Sequence, residues 1–252
     1  MKQLDPQVVS FAASVTVAAI VIAGIFLWRQ KRKEKVYSER SLEEIQVPSK
    51  WAKVGEVSDL IIYPLKGSQR KCLQEAQFTE RGLRETKSKK LSLLDRGFVI
   101  FDQNNEFINI KKNIKVLFVD TESVDEMRVK FKFPDADDLI VELPVDNSTL
   151  NKIGFDFKQT VGTLDCGDKA ATWFSQRLLD QPTGLRLGCF IDSLVPQRTV
   201  KDGLVEEYSK HYKKLHGDYL GAYSDMASYM MMGEESLKDL NSRLDKPVSH
   251  IN

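Results

Sequence analysis

The chain has 252 residues, with 37 Lys and Arg set against 36 Asp and Glu, and a formal charge of +1. At 42% hydrophobic and 29% charged it lies outside the disordered, collagen-like and low-complexity classes. The balanced charge argues against a nucleic-acid binder, and three cysteines without metal-type spacing (Cys72, Cys166 and Cys189) argue against a disulfide scaffold or zinc module.

The first element is the run Val8–Trp28, VVSFAASVTVAAIVIAGIFLW, which carries no charge and only three polar side chains, Ser10, Ser14 and Thr16. As a helix, 21 residues reach roughly 31 Å, the thickness of a bilayer's hydrocarbon core. A cleaved signal peptide has a shorter apolar centre with its basic residues in front. Here Arg29, Lys31, Arg32, Lys33 and Lys35 follow the run, which predicts a signal anchor with the body in the cytosol. Such an anchor suits the mitochondrial outer membrane, with endoplasmic reticulum or peroxisome as the other choices. A cytosolic body also accounts for unpaired thiols.

Residues 29–50 are highly charged without apolar periodicity and read as a juxtamembrane linker. Short β-type runs follow: Val54–Leu65, Gly97–Phe101, Ile114–Val119, the alternating Met127–Phe133 (MRVKFKF) and Leu139–Leu143. Turn-forming residues separate them at Asp102–Asn105 and Pro134–Asp138. Asp165 is expected to cap a helix over Cys166–Leu179 with Ala170, Trp173, Phe174 and Leu178 on one face. Gly184–Ile191 reads as a strand, Asp202–Leu215 is ambiguous, and Met230–Met232 reads as core strand. Glu234–Leu244 sets Leu237, Leu240 and Leu244 at helical spacing. The class is α+β: a mostly β barrel or mixed sheet with a few helices, plus one amino-terminal transmembrane helix.

Four of these pieces, in their order and spacing, resemble the MOSC superfamily, named for the carboxy-terminal domain of molybdenum cofactor sulfurase. Within it, the chain is most similar to the mitochondrial amidoxime-reducing components. They are Val57–Lys66 (VSDLIIYPLK), Leu94–Ile100 (LDRGFVI), Asp165–Trp173 (DCGDKAATW) and Ala222–Leu244, which opens AYSD and ends LNSRL. The domains are then 1–28 anchor, 29–50 linker, 51–145 MOSC amino-terminal β-rich region, and 146–252 an α/β region with the incomplete start of the MOSC domain.

The resemblance implies a molybdenum-pterin cofactor and an oxidoreductase that reduces N-hydroxylated compounds with electrons from cytochrome b5 and its reductase. Lys66 falls on the family's turn lysine and Arg96 on its strand arginine, both associated with the cofactor. Ser68 stands one step beyond the usual serine position, which Gly67 occupies. Asp225 matches the family aspartate, with Met226, Ala227 and Ser228 where Thr-Ser-Pro is usual. The family's molybdenum-ligating cysteine has no counterpart among Cys72, Cys166 and Cys189. The ending at Asn252, without a closing strand, reads as a chain cut inside a domain, so that the sequence is expected to be truncated or inactive as written.

From the residues alone, Lys66 and Arg96 read as exposed charges at strand ends; it is the resemblance that sets cofactor contact beside that reading. Cys166 reads as a structural thiol, and His211, His216 and His250 form no ligand pattern. Asp135, Asp137 and Asp138 read as a solvated turn, not a calcium loop. A non-catalytic anchored binding module, or a sulfur-carrier MOSC protein relying on Cys166, stand as alternatives.

Overall fold

Phe98-Val99-Ile100-Phe101 is buried at every position, so this strand must have apolar layers on both of its faces. The computed structural model describes residues 50, 52–86, 92–155, 159–196, 221–225 and 227–249. They divide into two units, one up to Glu56 and one from Val57 onward. The account below concerns the second.

In chain order its elements are β1 (Leu60–Ile62), β2 (Lys71–Leu73), β3 (Ala76–Thr79), β4 (Gly82–Glu85) and β5 (Phe98–Asp102). A 3-10 turn (Ile114–Phe118) precedes β6 (Asp120–Ser123), β7 (Arg128–Lys132), β8 (Leu139–Glu142), β9 (Leu150–Phe155) and β10 (Gln159–Asp165). Helix α1 (Asp168–Leu179), β11 (Leu185–Cys189) and helix α2 (Glu234–Asn241) complete the described elements.

The strands form four antiparallel sheets: β1-β2, the hairpin β3-β4, the meander β6-β7-β8, and the order β5-β11-β10-β9. Isolated bridges at Leu65–Phe98 and Arg84–Leu94 tie neighbouring pieces together, but no closed barrel is present among the described residues. The class is mostly β with two helices, as the sequence predicts; the closed barrel is not seen. Val8–Trp28 lies outside the described residues, and no described helix is long and apolar enough to cross a membrane.

The four-stranded sheet separates two apolar layers. On one side Phe98, Ile100, Leu185 and Leu187 pack with Trp173, Phe174 and Leu178 of α1 and with Val129 and Phe131 of the meander. Phe131 meets Phe98 and Phe174 edge-on at 5.4 and 5.3 Å, an arrangement that aligns positive ring edges with negative faces. On the other side Val99, Phe101, Ile153, Phe155 and Val161 surround Tyr223. Tyr223 is fully buried, and its hydroxyl lies 2.7 Å from Thr163 Oγ1.

Most predicted strands are present: β7, β8 and β11 fall inside their runs, β5 overruns its run by Asp102 alone, and Val129 and Phe131 take the buried face of the alternating segment. Val54–Leu65 gives only Leu60–Ile62, with Val54 and Val57 exposed. Ile114–Val119 is a 3-10 helix, not a strand, because Asn113 caps it by accepting from the Lys115 N–H. A continuous apolar run carries no period to tell these states apart.

Helix α1 buries Ala170, Trp173, Phe174 and Leu178 as expected, but Asp165 is not its cap. Gly167 holds that place at φ 88°, while Asp165 accepts its N–H and pairs with Arg186. Met230–Met232 is exposed and irregular, not core strand. Helix α2 forms but buries nothing, leaving Leu240 and Leu244 exposed. Asp202–Leu215, His211, His216 and His250 lie outside the described residues.

Candidate functional site

The segment after β1 runs Tyr63-Pro64-Leu65-Lys66 alongside the turn that leads into β5. Three backbone bonds lace them together: Arg96 N–H to Tyr63 O, Phe98 N–H to Pro64 O, and Lys66 N–H to Phe98 O, at 2.8 to 2.9 Å. Pro64 cannot donate and ends β1, so the chain turns there and delivers Lys66 to the edge of the β5 layer. The two cations predicted from sequence therefore flank one short backbone ladder.

Their surroundings differ. Lys66 is 8% exposed; its Nζ lies 2.6 Å from Asp225 Oδ1 and sits over the rings of Phe155 and Phe107 at 4.9 and 5.3 Å. A buried ammonium is stable only when paired, and the carboxylate and two ring faces supply that pairing. Asp225 reaches it because Tyr223, two residues earlier, is locked into the aromatic layer.

Arg96 is about one-third exposed, with φ at 52° in the left-handed region that L residues seldom occupy. Its guanidinium pairs with Asp95 and lies 5.5 Å over the Tyr63 ring. Asp95, nearly buried, also accepts the Tyr63 N–H at 2.7 Å. Burial pushes the Asp95 carboxyl above the ordinary carboxylate range, opposed by Arg96, the Tyr63 N–H and the field of Lys66. Asp95 thus feels both cations.

Ser68 is turned away from this group. It is buried, and its hydroxyl donates to Leu65 O at 2.8 Å inside its own turn. Gly67, at φ 84°, carries the turn in a conformation that suits glycine, and a Cβ there would meet Ile110 Cγ2 at 2.9 Å. The structure thus brings Lys66, Arg96 and Asp225 into one neighbourhood and keeps the Ser68 hydroxyl in the backbone.

Two cavities lie elsewhere. One, about 440 Å³, is lined by α1 and the start of β8, including Asp138, Lys169 and Trp173. The other, about 220 Å³, adjoins the Arg96 turn through Leu94, Gly97 and Phe98 and reaches Cys189 and Phe190. Neither is lined by Lys66 or Arg96.

Sequence reasoning missed Asp95, Phe107 and Phe155. Asp95 had a signal, the acid directly before Arg96 in LDRGFV; the two phenylalanines had none, since only the fold brings them to Lys66.

A cofactor of the implied type presents an anionic phosphate and a metal that prefers a soft thiolate. The phosphate requirement fits the two cations, of which Arg96 is the accessible one. The thiolate requirement does not fit the described cysteines. Cys166, half-buried, has its thiol pushed well up by hydrogen bonding with Cys189 and by burial, so it stays protonated. No group of three His, Cys, Asp or Glu among the described residues is placed to hold a metal.

Residues 54–181 match the family model described as the MOSC N-terminal beta barrel domain. Among curated proteins, the chain is 28% identical to mitochondrial amidoxime-reducing component 1 of Danio rerio over 244 residues, 96% of this chain and 65% of that protein. It is 28% identical to mitochondrial amidoxime reducing component 2 of Rattus norvegicus, over 94% of this chain and 62% of that protein. It is also 28% identical to component 1 of Homo sapiens, over 79% of this chain and 54% of that protein. The chain spans 65% or less of the length of the curated relatives it matches. With half of its length matched by one domain model, the chain belongs to the MOSC N-terminal beta barrel domain family.

Proposed function

We propose that this chain is a membrane-anchored MOSC-type protein that binds a molybdenum-pterin cofactor through Lys66, Arg96 and Asp225, with Ser68 shaping the turn. Val8–Trp28 is the anchor, most simply in the mitochondrial outer membrane, 29–50 the basic linker, and 51–145 and 146–252 the two parts of the cytosolic body. In its complete form the protein is an oxidoreductase that reduces N-hydroxylated compounds, supplied with electrons by cytochrome b5 and its reductase.

The observation that supports this reading most is that Lys66 and Arg96 stand at the two ends of one short backbone ladder, Arg96 bonded to Tyr63 and Lys66 to Phe98, with Asp95 responsive to both. Two cations carried by one short ladder suit a phosphate, and a planar guanidinium suits bidentate contact. When bound, the cofactor supplies the redox chemistry and the protein contributes binding and orientation. Here Arg96 meets solvent and anion first, while Lys66, held by Asp225, supplies a fixed positive charge behind it. None of the chain's three cysteines, Cys72, Cys166 and Cys189, stands as the molybdenum thiolate in this reading. The elevated Cys166 thiol counts against the sulfur-carrier alternative, which needs an accessible thiolate.

The test is reduction of an amidoxime by a version of the protein carried through the length its curated relatives span, purified from a host that makes the cofactor, with cytochrome b5 and its reductase present. Product formation that requires all three components supports the oxidoreductase reading. That extended version, loaded with cofactor yet inert toward every N-hydroxylated compound offered, would remove it.

A further inference from the structure

The 3-10 turn at Ile114–Phe118 leaves its apolar side chains in solvent. With three residues per turn, residues three apart share a face. Val116 and Val119 take the inward face and are fully buried, while Ile114 and Leu117 share a second face and Lys115 and Phe118 a third. Ile114 is 61% exposed, Phe118 49% and Leu117 38%, and Ile110, just before the turn, is exposed as well. Three exposed bulky apolar side chains in five residues, plus a fourth close by, are a patch and not scattered surface hydrophobics.

Lysines are interleaved with the patch: Lys111, Lys112 and Lys115. Lys111 is exposed, Lys112 donates to Phe107 O at 3.0 Å, and Lys115 pairs with Asp180 at 2.7 Å. From residue 109 to 118 the segment contains three lysines and no acid. Asn113 capping the turn and donating to Leu178 O at 2.8 Å fixes the segment against the carboxy-terminal end of α1. The apolar residues are therefore presented by a fixed turn.

We propose that this turn is a membrane-docking surface, in which Ile114, Leu117 and Phe118 enter the headgroup region while Lys111 and Lys112 meet anionic lipid. Exposed bulky apolar groups flanked by lysine are the chemistry of an interfacial segment, and lysines near an anionic leaflet add electrostatic attraction to the apolar insertion. A purely protein partner of the same shape would not need the two exposed lysines, Lys111 and Lys112, beside the apolar groups. The inference rests on the anchored reading above only for the tether, which raises the local lipid concentration.

The experiment uses the full chain, with Cys72 replaced by Ser, carrying an environment-sensitive fluorophore at Ile114→Cys. It is reconstituted into vesicles of phosphatidylcholine with or without phosphatidylserine. A control carries the label at Val145→Cys; Val145 is 74% exposed and lies four residues before Thr149, which pairs with Asp165 at the other end of α1. The Ile114 label is expected to shift to the blue and brighten several-fold with phosphatidylserine, the Val145 label to stay unchanged, and Lys111→Glu to weaken the response. An unshifted Ile114 label, an equal shift at Val145, or no dependence on phosphatidylserine would overturn the proposal. Resistance to alkaline carbonate extraction reports the anchor separately, so a lost anchor and a lost docking surface give different results.

Discussion

Arg96 stands at φ 52° between a nearly buried aspartate and a glycine, and its backbone and its charge can be separated by substitution. Arg96→Ala removes the pairing with Asp95 and the contact over Tyr63 but keeps a Cβ in the left-handed region. Arg96→Gly removes the same contacts and relieves the backbone. The lost contacts are worth about 0.2–1 kcal/mol for a partly exposed ion pair and about 0.5–1 kcal/mol for the ring contact. Both variants also leave Asp95 without its guanidinium, so that cost cancels between them. The left-handed conformation costs an L residue roughly 1–2 kcal/mol, which only glycine escapes. Arg96→Gly is therefore expected to be about 1 kcal/mol more stable than Arg96→Ala. Guanidinium unfolding with an unchanged slope is the assay. Equal midpoints, or Ala the more stable, would refute the idea that a strained backbone is kept here for the sake of its side chain.

Other expectations follow from the core and the charges. Phe131→Ala, which opens the edge-on contacts to Phe98 and Phe174, should cost about 3–5 kcal/mol in the same unfolding assay. Gly188→Ala should cost about 1–3 kcal/mol because its Cβ would overlap the fully buried, β-branched Thr163, whereas Gly154→Ala should cost far less, since it meets the mobile end of the Glu106 side chain. Hydrogen bonding from Lys132, then Lys130, holds the Glu122 carboxyl down at about 2. Its stabilising effect is present above the ordinary value of 4.5 and is lost as pH falls from there towards 2. Glu122→Gln should therefore flatten that part of a melting-temperature profile, modestly because the pair is partly exposed. A maleimide should label Cys72 quickly and Cys166 slowly, read by mass spectrometry, because Cys72 is exposed and the Cys166 thiol is protonated.

Sequence showed most clearly where physics leaves a period. MRVKFKF alternates, and β7 buries Val129 and Phe131 accordingly; the helical spacing of Trp173, Phe174 and Leu178 likewise matches α1. Ile114–Val119 is unbroken apolar sequence, so its conformation was decided by Asn113 capping and by which two valines the core could accept. Met230–Met232 shows the same limit: apolar composition does not ensure burial when nothing described covers the segment. Of the candidate site, Lys66, Arg96 and Asp225 were legible through motif resemblance. The aromatic floor beneath Lys66 was not, because Phe107 and Phe155 are 41 and 89 positions away and only sheet pairing brings them there. Ser68 was legible as a position but not as a contact, since its hydroxyl is used up by Leu65.

The central claim is that two cations on one backbone ladder hold an anionic pterin. Its most direct test is the pterin content of the purified chain from a cofactor-producing host, measured by fluorescence after oxidation, for wild type, Lys66→Met and Arg96→Gly. The account predicts pterin in the wild type and at least a tenfold loss in each variant, with all three proteins folded by circular dichroism. Wild type free of pterin, or variants that retain it in full, would contradict it.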